Sequence, residues 1–317
     1  MKLARPDLFH PRIVLASCRA LPEGDGDDAD LLGALRRRGL HARWLPWDDP
    51  RTEGADLVIL RGTWDYAERL EEFLEWTRRV PHLLNAPDVV AWNCDKHYLA
   101  DLATAGLPVP GTTFLAAGDA RPDPAVFAGE VVVKPAVGAG SLGARRFDDP
   151  TGAAAHAAAL LDTTGRDVLV QPYDARVADG ETALVFIAGE QSHAFTKSPM
   201  LPPAGGEPGL DASGTFSREN LCPADPDFEL WDLGYAALDA AAAHLDMPRS
   251  EFLYARVDLI GGPGEAVVLE LELIEPGLGW RQLGEKDRKL AQRGFAVAVE
   301  SALERLGLGP LSRRPPR

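Results

Sequence analysis

The chain is short of cysteine, of positive charge and of long apolar runs, and each shortage removes a class of protein. Its three cysteines, Cys18, Cys94 and Cys222, are odd in number and far apart. They argue against a disulfide framework, and the lack of any C-x-x-C pair argues against a zinc site of that kind. Lys and Arg number 33 against 48 Asp and Glu, a formal net charge of −15. That is the wrong sign for a nucleic-acid groove or an anionic membrane surface. It does not exclude a nucleotide, because a few local cations can outweigh the global field. The first 12 residues are charged and carry Pro6 and Pro11, unlike a signal peptide or a membrane span, and a cytoplasmic protein is expected. No G-x-x-x-x-G-K-[ST] string occurs, which excludes a P-loop. No internal repeat is visible.

What is present fits a soluble protein of two or three compact units: 317 residues, 45% hydrophobic and 26% charged. Strands are expected at 12–16, 41–45 and 56–60, with a helix at 30–38 ending at Gly39. This alternation implies a parallel sheet with helices on its faces. Residues 68–79 form an amphipathic helix pattern with Leu70, Phe73, Leu74 and Thr77 on one stripe, and 81–88 reads as a boundary. A second module holds a helix at 95–105, a strand at 130–134, an alanine-rich helix at 150–161 and a strand at 168–171. A third has strands at 182–188, 191–196, 254–260 and 266–274, a helix at 228–245, and antiparallel character. The domains expected are therefore 1–90, 91–172 and 173–308, with a frayed Pro/Arg-rich tail at 309–317.

Three constellations could carry chemistry. Arg256 and Asp258 stand two apart on an alternating strand, and Glu270 and Glu272 do the same on the strand that returns after the 261–264 turn. Each pair shares one face. Carboxylates among apolar neighbours are costly unless neutralised, and Mg²⁺, which takes hard oxygen ligands and shares them with phosphates, is the natural partner. A solvated hairpin face is the other reading. Next, Lys134 ends an apolar strand and is followed by Gly138, Gly140, Ser141 and Gly143, as if a point charge and loop N–H groups were to hold a polyphosphate. These glycines also match G-x-G-x-x-G, but Arg145–Asp149 follows where that fingerprint needs a helix. An ordinary hairpin turn stays open. Last, the strand ending Gln171–Pro172–Tyr173 leaves backbone groups free to meet a base edge, or is a plain hinge.

In this order, Lys96, Lys134–Pro135, the glycine loop, Gln171–Pro172–Tyr173, Glu181, Arg256–x–Asp258 and Glu270–x–Glu272 resemble the ATP-grasp superfamily, in its glutathione-synthetase and RimK-like branch. The resemblance spans nearly the whole chain. It implies an α/β and α+β protein, in which a Rossmann-like pre-ATP-grasp domain precedes two α+β subdomains clasping ATP. Lys96 and Lys134 would hold the phosphates with the glycine loop, Gln171, Pro172 and Tyr173 would line the adenine, and Asp258, Glu270 and Glu272 would bind Mg²⁺. One departure is visible: the metal position that is usually Asn is Glu272.

Ala16–Arg19, Asp27–Asp28, Arg61–Tyr66, Ala91–Lys96 and Leu271–Pro276 look further like the cyclo-ligases of D-cycloserine biosynthesis, which close O-ureido-D-serine into a ring. Substrate contacts are then expected from Arg19, Asp28, Arg61, Thr63, Trp64, Asp65, Tyr66, Lys197 and Glu275. Residues 61–66 follow a strand end, where open α/β sheets bind ligands, and both arginines could grip a carboxylate. Trp64 and Tyr66 read equally as packing. Arg256, with Arg218 from a long Pro/Gly-rich loop, is the expected catalytic pair. His97 reads as solvated and His193 as structural. The activity expected is an ATP-dependent carboxylate–amine ligase working through an acyl phosphate. A RimK-like ligase joining two molecules, a phosphotransferase and a regulator without turnover are the alternatives. The partners expected are ATP and a small amino-acid-like substrate, without nucleic acid or membrane, and a homodimer is left open.

Overall fold

The structure, a computed structural model, describes residues 10–118, 123–202, 205–207, 209–214, 217 and 219–308. The expectations for Arg218 and for the 309–317 tail lie outside the described residues.

The first sheet is parallel, with β1 (Arg12–Ser17), β2 (His41–Pro46), β3 (Leu57–Gly62) and β4 (Leu83–Leu84) in the order β2-β1-β3-β4. Its central strands β1 and β3 are buried on both faces, as near-continuous apolar runs require, whereas the edge strand β2 exposes His41 and Arg43. Ile13, Leu15, Leu57 and Ile59 enter one core with helix α1 (Leu31–Arg37). Val14, Ala16, Val58 and Leu60 enter a second core with α2 (Leu70–Arg79). The observed α2 stripe is Phe73, Trp76 and Thr77. Leu70 and Leu74, half-buried, pack against the same core, and the Trp76 indole donates to Thr52 Oγ1 at 2.9 Å. Strand β4 lies within the 81–88 segment and completes the first sheet, inside the 1–90 span expected for the first domain.

Helices α3 (Pro87–Asn93) and α4 (Tyr98–Thr104) lead into the second sheet. Its strands β5 (Thr113–Leu115), β6 (Val131–Pro135), β7 (Arg145–Phe147) and β8 (Val168–Pro172) run antiparallel in the order β5-β8-β6-β7. Helix α5 (Pro150–Thr164) buries Ala153 and Ala157 against it. Asp149 starts that helix by accepting from the N–H groups of Thr151 and Gly152, with Pro150 in the first turn.

The third sheet is antiparallel, with β9 (Glu181–Ile187), β10 (Glu190–Lys197), β11 (Leu221–Ala224), β12 (Tyr254–Ile260) and β13 (Val267–Glu272) in the order β11-β10-β9-β12-β13. Helix α6 (Phe228–His244) covers the face that carries Leu184, Phe186, Val257 and Leu259. Tyr254, Arg256 and Asp258 therefore point to the opposite face. Helix α7 (Glu285–Arg305), which no reading of the sequence gives, brings Phe295 and Val299 into the core of the first sheet. No described helix is long and apolar enough to cross a membrane.

The outer edge of β13 is met by side chains. Asn85 donates to Tyr254 O (3.0 Å) and Leu273 O (2.7 Å) and accepts from Leu253 N (2.7 Å). Asn93 donates to Leu271 O (2.8 Å) and accepts from Leu273 N (2.7 Å). An exposed edge is thereby closed and the first sheet tied to the third. Asn85→Ala, which strands these buried groups, is expected to cost about 2 kcal/mol, read as a lower urea midpoint at an unchanged m-value.

Candidate active site

A cleft of about 1590 Å³, its open mouth included, is lined by residues of the second and third sheets and by Asp25, Trp64 and Tyr66 from loops that follow strands of the first. Its floor is the β12–β13 pair. Arg256 stands opposite Glu272 and Asp258 opposite Glu270, so four charged side chains share one face of two adjacent strands. One oxygen from each of Asp258, Glu270 and Glu272 lies within 4.8 Å of the others.

Cations hold these acids apart. Arg256 donates to both Asp258 oxygens at 2.9 Å and to Glu272 Oε1 at 2.5 Å. Lys197 reaches Asp258 at 2.6 Å and Glu181 at 2.7 Å. Lys134 donates to Glu270 Oε1 at 2.8 Å, and Lys96 to Gly138 O at 3.1 Å. Burial works against the charge of Asp258, but Arg256 and Lys197 outweigh it and hold the carboxyl below its ordinary range. Burial likewise opposes ionisation of Glu270, and Lys134 and Lys96 win there too. Glu272 goes the other way. Burial pushes it up to about 7, and the charges of Asp258 and Glu270 outlast the help of Arg256. Lys197 is raised because Asp258 and Glu181 outweigh its burial.

Hard oxygen donors, one of them short of positive charge, suit a divalent cation such as Mg²⁺. In this respect Glu272 serves where Asn is usual. Over this floor the glycine loop bridges β6 and β7, so the hairpin and the loop expected from the sequence are one object. Gly140, Ser141 and Gly143 all take positive φ, the conformation that frees successive N–H groups.

The cleft gathers most of the residues singled out in the sequence. Lys96, Lys134, Gly138, Gly140 and Ser141 line it, as do Gln171, Pro172, Tyr173 and Glu181. Trp64, Tyr66, Lys197, Arg256, Glu270, Glu272 and Glu275 line it as well. Asp258 lies fully buried beneath them. Gly143 sits behind the loop, where an added Cβ would press on Leu160 and Pro135 at 3.3 Å. Tyr66 does both things open to it, facing the cleft while stacking on Phe73 at 5.2 Å.

Five expected substrate contacts do not line the cleft, and in four the reason is a bond made elsewhere in the chain. Arg19 is exposed and pairs with Asp48 at 2.9 Å. Arg61 is buried on Asp28 (2.8 Å) and donates to Pro276 O (2.8 Å), which occupies its Nε and Nη2 and leaves Nη1 buried without a partner among the described residues. Asp28 also accepts from the Trp280 indole at 2.8 Å. Asp65 accepts from Trp47 at 2.7 Å. Thr63 is fully buried. His97 does not line the cleft; its side chain, 42% exposed, stacks on Phe114 at 3.8 Å with Asp95 at 2.6 Å. His193 bonds Leu278 O at 2.6 Å and packs near Trp280. Asp25 and Asn93 line the cleft with no role assigned from the sequence. The signal for Asp25 is its place between Gly24 and Gly26, both at positive φ. Burial, then Asp28 and Asp27, push its carboxyl up to about 6.

Comparison with known proteins agrees with this geometry. Residues 13–85 match the family described as D-cycloserine synthetase DcsG, N-terminal domain. The cycloserine biosynthesis protein DcsG of Streptomyces lavendulae is 38% identical over 278 residues, 80% of this chain and 88% of that one. The crystal structure of D-cycloserine synthetase DcsG superposes with a TM-score of 0.77 at 34% identity, covering 91% of this chain and 99% of that chain. A D-alanine–D-alanine ligase from Bacillus anthracis, complexed with ATP, shares the fold at TM-score 0.65 and 15% identity, over 93% and 98% of the two chains. The chain belongs to the DcsG family, ATP-dependent ligases of the ATP-grasp fold that form carbon–nitrogen bonds.

Proposed function

We propose that the cleft takes ATP with Mg²⁺ and that this ligase closes O-ureido-D-serine, or a close amino-acid analogue, into a ring through an acyl phosphate. The observation that carries the reading is the cleft floor, where Lys134 stands 2.8 Å from Glu270 beside three carboxylates whose oxygens lie within 4.8 Å. Lys96 and Lys134 offer point charges to the phosphates, and the 138–143 loop offers N–H groups. Gln171, Pro172 and Tyr173 line the base end of the same cleft.

Asp258, Glu270 and Glu272 would hold Mg²⁺, which supplies charge neutralisation on the phosphate oxygens as the γ-phosphoryl group moves. Arg256, fixed by Asp258 and by Gly277 O at 3.0 Å, stays beside the acids and faces the carboxylate being activated. Lys197 holds Asp258 in place from below. The substrate carboxylate becomes an acyl phosphate, a substrate nitrogen attacks its carbon, and phosphate leaves. Water must be kept out meanwhile. Ser217 donates its N–H to Gly140 O of the glycine loop at 3.0 Å, and both residues line the cleft.

The test is ADP release with O-ureido-D-serine, ATP and Mg²⁺, with the ring product followed by mass spectrometry. Expected are ADP and ring product in equal amounts from a single added substrate. ADP release that needs a second amino acid would make this a ligase of two molecules and end the ring-closure reading.

A further inference from the structure

Among the described residues, Glu275 is the only cleft carboxyl that keeps a buried oxygen, Oε2, with no hydrogen-bond partner. The residue is 6% exposed. The other cleft-floor acids are engaged: Glu181 by Lys197, Glu270 by Lys134 and Glu272 by Arg256. Buried polar atoms left without a partner are rare and call for an explanation. An unmade bond inside a ligand cleft has an obvious one, a donor that arrives with the ligand.

The backbone around Glu275 is gripped on both sides. Ile274 O accepts from the Tyr254 hydroxyl at 2.7 Å, Pro276 O from Arg61 at 2.8 Å, and Gly277 O from Arg256 at 3.0 Å. Arg61, which does not line the cleft, here acquires a purpose: it fixes the segment that presents Glu275. A side chain held this firmly is suited to positioning a reactant.

Resting on the ring-closing reading above, we propose that Glu275 accepts a hydrogen bond from the N–H of the attacking nitrogen and aims that nitrogen at the activated carboxyl. Burial, then the charge of Glu272, push the Glu275 carboxyl up to about 8, and its unpartnered Oε2 is an acceptor that suits an N–H donor. It stands three residues beyond Glu272 and lines the same cleft. Trp64 and Tyr66 line the same cleft and can hold a small substrate against it.

The experiment measures ADP and ring product side by side for the parent enzyme, Glu275→Ala and Glu275→Gln, with O-ureido-D-serine as substrate. The parent gives one product per ADP. In Glu275→Ala the carboxylate is still phosphorylated, but the nitrogen is misplaced and water takes the acyl phosphate. Product formation is expected to fall about 10²-fold while ADP release falls less than tenfold and KM for ATP holds. Glu275→Gln keeps a carbonyl acceptor and is expected to stay coupled within about threefold. Both variants should melt no lower than the parent, because the change removes a buried carboxyl without a partner.

The proposal is overturned if Glu275→Ala still makes one product per ADP, even at a raised KM, which would make Glu275 a mere anchor for the substrate. It is equally overturned if Glu275→Gln is as uncoupled as Glu275→Ala, or if both variants melt well below the parent, which would give Glu275 a role in the fold. A parent enzyme that releases no ADP with this substrate would instead remove the ring-closing reading, and this proposal with it.

Discussion

Asp258→Asn is expected to cost about 3 kcal/mol of folding stability, because it removes the fully buried anion that Lys197 and Arg256 share and leaves each with one carboxylate, Glu181 and Glu272. Asp258 is 0% exposed, and Lys197 and Arg256, each under a tenth exposed, both bond to it. Asn can accept at one oxygen only and carries no charge. The measurement is urea unfolding of parent and variant. Its pH dependence follows from the sign of the shift. Asp258 is held below its ordinary range, with Arg256 and Lys197 overriding burial. Its stabilisation is therefore fully present above the unfolded pKa of about 3.9 and is lost as pH falls through the folded one. The gap between parent and variant should be widest near neutrality and should close in acid. Equal urea midpoints at pH 7 would mean that the network contributes nothing to the fold.

Lys134→Ala is expected to lower ADP release by roughly 10²–10³-fold, the usual loss when one preorganised charge is taken from developing phosphate charge. The fold should survive. Glu270, the partner left behind, is a quarter exposed and also feels Lys96, so it is not stranded. The comparison that isolates chemistry is the melting curve, unchanged within a few degrees, against the rate of ADP release at saturating ATP. Turnover within tenfold of the parent would place the phosphates elsewhere and undo the reading of the cleft floor.

How far the sequence could be read depended on whether a residue's partner lies nearby. The Arg256, Asp258, Glu270 and Glu272 face was legible because strand alternation is local, and the register then sets the two pairs opposite one another. Lys134 and the glycine loop were legible for a similar reason, being one hairpin. Arg61 was not. That it stands past a strand end can be read, but its bonds to Asp28 and Pro276 join segments far apart in the chain. Strands of two to four residues, β4, β5, β7 and β11, carry too little alternation to announce themselves. Helix α7 hides for another reason. It opens on a charged stretch, contains Gly294 and exposes Leu290 and Val297, so its apolar stripe is blurred and its inward face is set by packing.

That helix also bears on how the molecule comes into being. Residues 13–85, which a family model treats as a unit, supply the strands of the first sheet. The layer that covers Ile13, Leu15, Leu57 and Ile59 includes Phe295, Val299 and Leu303 of α7. During synthesis these strands must therefore wait, one apolar face covered only in part by α1, until α7 has left the ribosome. The first domain is finished by a helix that follows both other sheets in the chain, so its strands cannot mature ahead of that helix.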